Sequence, residues 1–352
     1  MKLPIGIQTF GEIRTEGYLY VDKTAHIHRM IHSGKYFFLA RPRRFGKSLL
    51  LSTMEALYRG QRALFEGLWI ADHWDWSQQY PILHLQFSKL DYQSKGLEAA
   101  IVEELQAIAA DRGVFLKKDS AKSSFLALIK ALSKEAKLVI LIDEYDKPII
   151  DYLEELEQAK ANRQVFKTFY SVLKDSDPYL KLVFITGVSR FAKTSIFSDL
   201  NNLINLSMHP LAANLLGITL QEMEAYFSEK IQFIADQKKI SIQLLKQQIK
   251  DWYDGYSWDA QQYVYNPFSL LSFFLAERFD NFWFETGTPT FLVNLMRKNY
   301  QYRIEDMMAS DLALSGYSLE QLNPTTILFQ TGYLTIKEQP ANGVYLLDYP
   351  NK

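Results

Sequence analysis

Four apolar runs set the frame of this chain. Tyr36-Phe37-Phe38-Leu39, Ile82-Leu83-His84-Leu85, Leu138-Val139-Ile140-Leu141-Ile142 and Leu182-Val183-Phe184-Ile185 are each short and strand-like. Runs that are apolar at consecutive positions, rather than at alternate ones, suit parallel strands buried on both faces. Between them lie helical stretches at about 97–111, 122–134 and 159–174, and a shorter strand, Leu203-Ile204-Asn205-Leu206, follows to close the sheet. Strands alternating with helices predict an open, mostly parallel α/β sheet. Residues 1 to about 35 form a preface whose helix, marked by Ile27, Met30 and Ile31, Asp22 or Thr24 could cap.

Beyond about residue 212 the pattern turns mainly helical and rich in aromatic residues. Trp252-Tyr253-Asp254-Gly255-Tyr256-Ser257-Trp258 and Asn281-Phe282-Trp283-Phe284-Glu285-Thr286-Gly287 read as core rather than as a ligand cage. The end, Thr326–Ile336 and then Gly343–Leu347, reads as two strands around a hairpin turn at Ala341-Asn342-Gly343. The predicted organisation is one domain over 1–211 and a second, mainly helical domain over 212–352 with a small terminal β element of winged-helix type.

The first apolar run leads into Ala40-Arg41-Pro42-Arg43-Arg44-Phe45-Gly46-Lys47-Ser48-Leu49, and a helical pattern follows. Strand, tight loop ending Gly-Lys-Ser, then helix is the setting of a phosphate-binding P-loop. Backbone N–H groups at the helix start attract phosphate oxygens. Lys47 would add a charge near the β- and γ-phosphates, and Ser48 would ligate Mg²⁺. Arg41, Arg43, Arg44, Phe45, Gly46, Lys47, Ser48 and Leu49 are therefore the candidate nucleotide-binding residues.

One position departs from the pattern, since Arg41 stands where the loop would open with glycine. Glycine allows positive φ and close approach of the backbone to phosphate, whereas arginine before proline is pushed toward an extended conformation. Two outcomes stay open. The loop wraps the β-phosphate with Arg41, Arg43 or Arg44 adding charge, or the fold persists while nucleotide affinity is weak or lost. Lys47, Ser48, Asp143 and Glu144 occurring together favours retained binding.

The run 138–142 ends in Asp143-Glu144. Asp143 would hold Mg²⁺ with Ser48, and Glu144 would orient or deprotonate an attacking water. The run 182–185 ends in Thr186-Gly187-Val188-Ser189-Arg190-Phe191. If this strand is inserted between the strands of the P-loop and of Asp143, the fold is a P-loop NTPase of the additional-strand (AAA-like) class. Thr186 would then be a sensor, and Arg190 a sensor or, in an oligomer, a finger to a neighbour's nucleotide.

Composition narrows the classes. The chain has 352 residues, 48% hydrophobic, with 39 basic against 40 acidic side chains. That balance gives no global argument for nucleic-acid or membrane binding, and the region 320–352 is not basic. A duplex-binding role for the terminal β element thus has no support from charge. Absence of cysteine excludes disulfides and thiol chemistry. With no signal-peptide core and no apolar run near the roughly 20 residues that span a bilayer, a cytoplasmic protein is expected.

Together these residues resemble the AAA-ATPase-like family of bacterial proteins, usually fused to a C-terminal PD-(D/E)XK-type nuclease domain. The resemblance rests on Tyr20-Val21-Asp22-Lys23-Thr24, Arg41-Pro42-Arg43-Arg44-Phe45-Gly46-Lys47-Ser48, Leu141-Ile142-Asp143-Glu144-Tyr145-Asp146 and Thr186–Phe191. Ile196–Leu203, Asp254-Gly255-Tyr256, Tyr265-Asn266-Pro267 and Gln330-Thr331-Gly332-Tyr333 match as well. It implies that the arginine-proline opening belongs to the family pattern, that ATP and Mg²⁺ are the cofactors, and that the partner is a nuclease domain or another protein. No nuclease centre is recognisable before Lys352. The function expected is Mg-ATP binding and hydrolysis coupled to a C-terminal domain or an associated nuclease. The alternative is a catalytically weak or degenerate nucleotide-binding scaffold that recruits a protein or nucleic-acid partner.

Overall fold

A computed structural model describes residues 2–117, 119–190, 196–197, 199–283, 307–314, 316, 319 and 322–351. Phe191, Ser198 and Phe284–Gly287, which belong to motifs quoted above, lie outside the described residues.

The apolar runs become β1 (Tyr36–Ala40), β2 (Ile82–Gln86), β3 (Leu138–Asp143) and β4 (Leu180–Gly187), joined by a two-residue β5 (Ile204–Asn205). Their order is β2-β3-β4-β1-β5, with every pairing parallel. β4 therefore lies between β1 and β3. The register sets Leu39 beside Thr186 and Ala40 beside Gly187, so the C-terminal ends of these strands finish level.

Each strand sends alternate residues to opposite layers. Tyr36, Phe38, Ile140, Ile142, Val183 and Ile185 join α3 (Leu97–Asp111), α4 (Ala121–Leu132) and α5 (Leu156–Tyr170). Phe37, Leu39, Val139, Leu141, Leu182 and Phe184 face α1 (Thr24–Ile31) and α2 (Lys47–Tyr58). Two-sided burial is the reason these strands are apolar at consecutive positions. Lys23, not Asp22 or Thr24, is the N-cap position of α1 and makes no side-chain cap; Asp22 holds the turn before it, its Oδ1 accepting from Thr24 N and its Oδ2 from Trp69 N, each at 2.8 Å.

The change of packing partner comes at Gly217. Leu215 and Leu216 pack with the sheet, whereas Ile218 joins α6 (Leu220–Lys238), α7 (Ile242–Tyr253) and α8 (Pro267–Ala276) in a separate apolar cluster. The preface reaches into that cluster through Leu3, Leu19 and Val21. Tyr256, Trp258, Val264 and the last strands join the core of the sheet itself. The C-terminal unit is thus built onto the α/β layer at two places.

The segment expected as a strand from Thr326 is instead α9 (Pro324–Thr331). Asn323 caps it, its Oδ1 accepting from Thr325 N at 2.9 Å and Thr326 N at 3.4 Å, and Pro324 fills the first turn. Those local signals outweigh the β-branched Thr-Thr-Ile run. β7 (Thr335–Ala341) and β8 (Val344–Asp348) then form the expected hairpin, with β6 (Met307–Ser310) on the other side of β8.

The ends of β3 and β4 are locked to each other by the residues that follow Asp143. Tyr145 N donates to Thr186 O at 3.0 Å and Tyr145 Oη to Ser189 O at 3.0 Å. Asp146 is buried and accepts from Val188 N at 3.0 Å and Ser189 N at 2.5 Å. Gly187 makes room for this contact, because a Cβ there would come 2.6 Å from both Asp146 Oδ1 and Tyr145 Cε1. Gly187→Ala should lower the unfolding free energy by about 1–3 kcal/mol, read from urea denaturation; an unchanged midpoint would show that Tyr145 and Asp146 move aside freely.

Burial pushes the Asp146 carboxyl up from 3.8 to about 6. A carboxyl whose folded pKa is raised favours the folded state below the unfolded pKa, and that advantage is lost as pH rises through the folded one. Between pH 5 and 7 the protein should therefore lose about 1 kcal/mol relative to Asp146→Asn, a difference measurable by denaturation at the two pH values.

Candidate functional site

The loop after β1 makes its turn without a leading glycine. Arg41 continues the strand, its N–H bonded to Gly187 O at 3.1 Å, as its place before Pro42 favours. The left-handed conformations fall later, at Arg44 (φ 65°) and Gly46 (φ 92°). Gly46 is the N-cap of α2 and no side chain caps that helix, so its first-turn amides are presented toward the loop. An uncapped helix start of this kind is a site for anions.

Arg41, expected among the nucleotide-binding side chains, points elsewhere. Its guanidinium is buried and donates to Ala40 O at 3.0 Å, Ser207 O at 2.7 Å and Ala212 O at 2.9 Å. Its Cζ lies 3.9 Å from the centre of the Trp258 ring. Burial pushes its pKa down to about 9, against a smaller opposing influence of Asp259. The cation is spent on carbonyls and a ring behind the loop and adds no charge to the loop's mouth. Phe45 is also buried, its ring 4.9 Å from Tyr256 and 5.4 Å from Trp258.

The mouth itself is a cleft that Arg43, Arg44, Lys47, Ser48 and Glu144 line together. Lys47 is 6% exposed and folds back on the loop, donating to Arg41 O and Pro42 O at 2.9 Å each. Desolvation lowers its pKa, against the pull of Asp143, Asp146 and Glu144. Arg44 lies over the Phe268 ring with its Cζ 4.0 Å from the centre.

At the cleft floor three motifs meet on one carboxylate. Ser48 Oγ donates to Asp143 Oδ2 at 2.6 Å, and Thr186 Oγ1 donates to Asp143 Oδ1 at 2.6 Å. The next residue, Glu144, sits at φ 51°, a conformation that L side chains rarely adopt. That turn sends Glu144 into the cleft while Asp143 stays under it. Left-handed backbone at non-glycine residues concentrates at functional sites.

Arg190 does not join them. After β4, the amides of Val188 and Ser189 are taken by Asp146, and the chain is directed away so that Arg190 N donates to Gln330 Oε1 at 2.8 Å. Its side chain lies by Trp258, Phe329 and Gln330, and burial lowers its pKa. Thr186 is fully buried and acts on Asp143 rather than facing the cleft. Leu49 lines both the cleft and an apolar slot beside it. That slot, which Leu19, Val21, Ile27, Leu215 and Leu271 also line, escaped the sequence reading because its walls come from distant segments. Asp146 and Trp258 were within motifs already noted, but their roles depend on neighbours that only the fold supplies.

Among the described residues no helix is long and apolar enough to cross a membrane. The model of the family described as "Predicted AAA-ATPase" matches residues 4–197. An uncharacterised protein encoded in the vnfD 5′ region of Azotobacter chroococcum mcd 1 is 40% identical over 359 residues, covering 99% of this chain and 67% of that protein. The solved structure of the Aeropyrum pernix ORC1 protein in complex with DNA is similar over 95% of this chain and 90% of that one, at 10% identity and a TM-score of 0.33. With a matched region that spans the loop, both carboxylates and β4, the chain belongs to the AAA-ATPase-like family.

Proposed function

We propose that the cleft binds a nucleoside triphosphate with Mg²⁺ and hydrolyses it. The observation that carries this reading is the meeting of Ser48, Asp143 and Thr186 through two 2.6 Å hydrogen bonds, with Lys47 and Glu144 beside them. Residues from two strand ends and a helix start converge there as phosphate chemistry requires. The placement of β4 between β1 and β3 supports the additional-strand class.

Arg43, Arg44, Lys47 and the amides at the start of α2 would hold the phosphates, Lys47 exchanging the carbonyls of Arg41 and Pro42 for phosphate oxygens. Ser48 and Asp143 offer hard oxygen donors side by side, the set that Mg²⁺ takes. Such a metal, when bound, supplies charge neutralisation across the phosphates. Thr186 orients Asp143 by donating to its Oδ1, which leaves Oδ2 toward Ser48. Glu144 is the one carboxylate among the described residues that line the cleft, and it would take the proton of the attacking water. The apolar slot shares Pro4, Gly46, Leu49, Pro267 and Leu271 with the cleft and would receive the base.

Titration calorimetry with Mg-ATP and a phosphate-release assay test this together. Lys47→Ala should weaken binding at least tenfold, whereas Glu144→Gln should bind normally and lose 100-fold or more of turnover, as removal of a general base does (~10²–10⁴). Binding with no turnover in the unaltered chain would support a nucleotide-sensing scaffold instead, and no binding would end the reading.

A further inference from the structure

Each of residues 41–45 of the loop meets a part of the C-terminal unit. The Arg41 guanidinium stacks 3.9 Å from the Trp258 ring centre. Pro42 packs on Gly332, where an added Cβ would come 2.7 Å from Pro42 Cγ. Arg43 O accepts from Trp283 Nε1 at 3.3 Å, Arg44 covers Phe268, and Phe45 sits against Tyr256 and Trp258. The loop is backed by side chains from beyond Gly217, of which Phe268 also lines the cleft.

We propose that the C-terminal unit is a working part of the phosphate site, with Arg41 and Trp258 as positioning residues that hold the loop open in place of the missing glycine. The inference deepens the nucleotide-binding reading and rests on it for its binding arm. A glycine-led loop keeps its shape through local backbone conformation. This loop instead begins with an extended residue, so its leading edge must be fixed from outside. Arg41 supplies that tether: two of its three carbonyl bonds reach Ser207 and Ala212, and its planar face meets the indole. Neither residue lines the cleft. Since the same atoms define the loop and the seat of the C-terminal unit, phosphate occupancy and the placement of that unit are coupled by linkage.

The test uses the full chain. Arg41→Met keeps packing against the ring and removes the guanidinium, Trp258→Leu removes the ring, and Arg41→Lys and Trp258→Phe are the conservative partners. Hydrogen exchange of the amides at 41–47, followed without nucleotide, should accelerate tenfold or more in Arg41→Met and Trp258→Leu while β3 amides stay protected. Mg-ATP affinity should fall at least tenfold in both, the loss falling on affinity more than on turnover at saturation, with Trp258→Phe recovering most of it. Unchanged loop exchange with β3 protected, or unchanged affinity, in Arg41→Met overturns the proposal. If one variant also loses protection in β3, the other decides. If the unaltered chain binds no Mg-ATP, the nucleotide reading fails, and loop exchange still decides whether Arg41 and Trp258 hold the loop.

Discussion

A guanidinium buried without a carboxylate hydrogen-bonded to it is the constraint from which the rest of this site follows. Taking a cation out of water is expensive, and the effective penalty is several kcal/mol even after the protein relaxes. Arg41 offsets it with three carbonyl acceptors and the face of Trp258, and it leaves Nε without a partner. Hydrogen bonds to a charged group contribute about 1.5–3 kcal/mol each. Burial pushes its pKa down to about 9, which still leaves the side chain protonated at neutral pH. The guanidinium so held does not line the cleft. Positive charge in the cleft therefore falls to Arg43, Arg44 and Lys47.

With the loop's leading edge tied to β4 and to the segment at 207–212, the parallel sheet does the remaining alignment. β1, β4 and β3 lie side by side, and their ends finish level enough for Ser48 to reach across β4 to Asp143. Thr186 fills the gap between them and bonds the same carboxylate from the inserted strand. A chemical centre built from neighbouring strand ends is what an open α/β sheet offers at its carboxyl edge. Lys47-Ser48 and Asp143-Glu144 are thus separated by one strand's width, and that width is occupied by Thr186, whose hydroxyl bonds Asp143.

Much of this was legible in the chain, for identifiable reasons. Strands buried on both faces betray themselves as continuous apolar runs, and Lys47-Ser48 with Asp143-Glu144 carry their chemistry in residue type and in their place at strand ends. The fate of Arg41 was not legible, because local rules gave only its extended backbone. What its side chain does depends on Trp258 and on carbonyls of residues 207 and 212, contacts created by the tertiary fold. Arg190 illustrates the same limit: position at the end of a core strand suggested the cleft, but Asp146 claims the intervening amides and turns the chain away. At α9 the Asn323-Pro324 start and the Gly332 stop, both visible in the sequence, prevail over the strand preference of Thr325, Thr326 and Ile327.

Two residues that line the cleft, Arg44 and Glu144, have left-handed backbone, and they differ in what holds them. Left-handed backbone at a non-glycine residue costs on the order of 1–3 kcal/mol and persists only where its surroundings over-determine it. At Glu144 the restraint is dense. Its own N–H bonds Asp143 Oδ1 at 3.1 Å, Tyr145 on its far side is fixed by Thr186 O and Ser189 O, and Asp146 is locked to Val188 and Ser189. At Arg44 the restraint comes from outside the α/β layer, through the Phe268 ring and through Trp283 bonded to Arg43 O. The carboxylate side of the cleft is therefore preorganised by the sheet alone, whereas the cationic side takes its shape from the C-terminal unit. A displacement of that unit would loosen the side of the cleft that Arg43 and Arg44 line and leave the Asp143-Glu144 side in place.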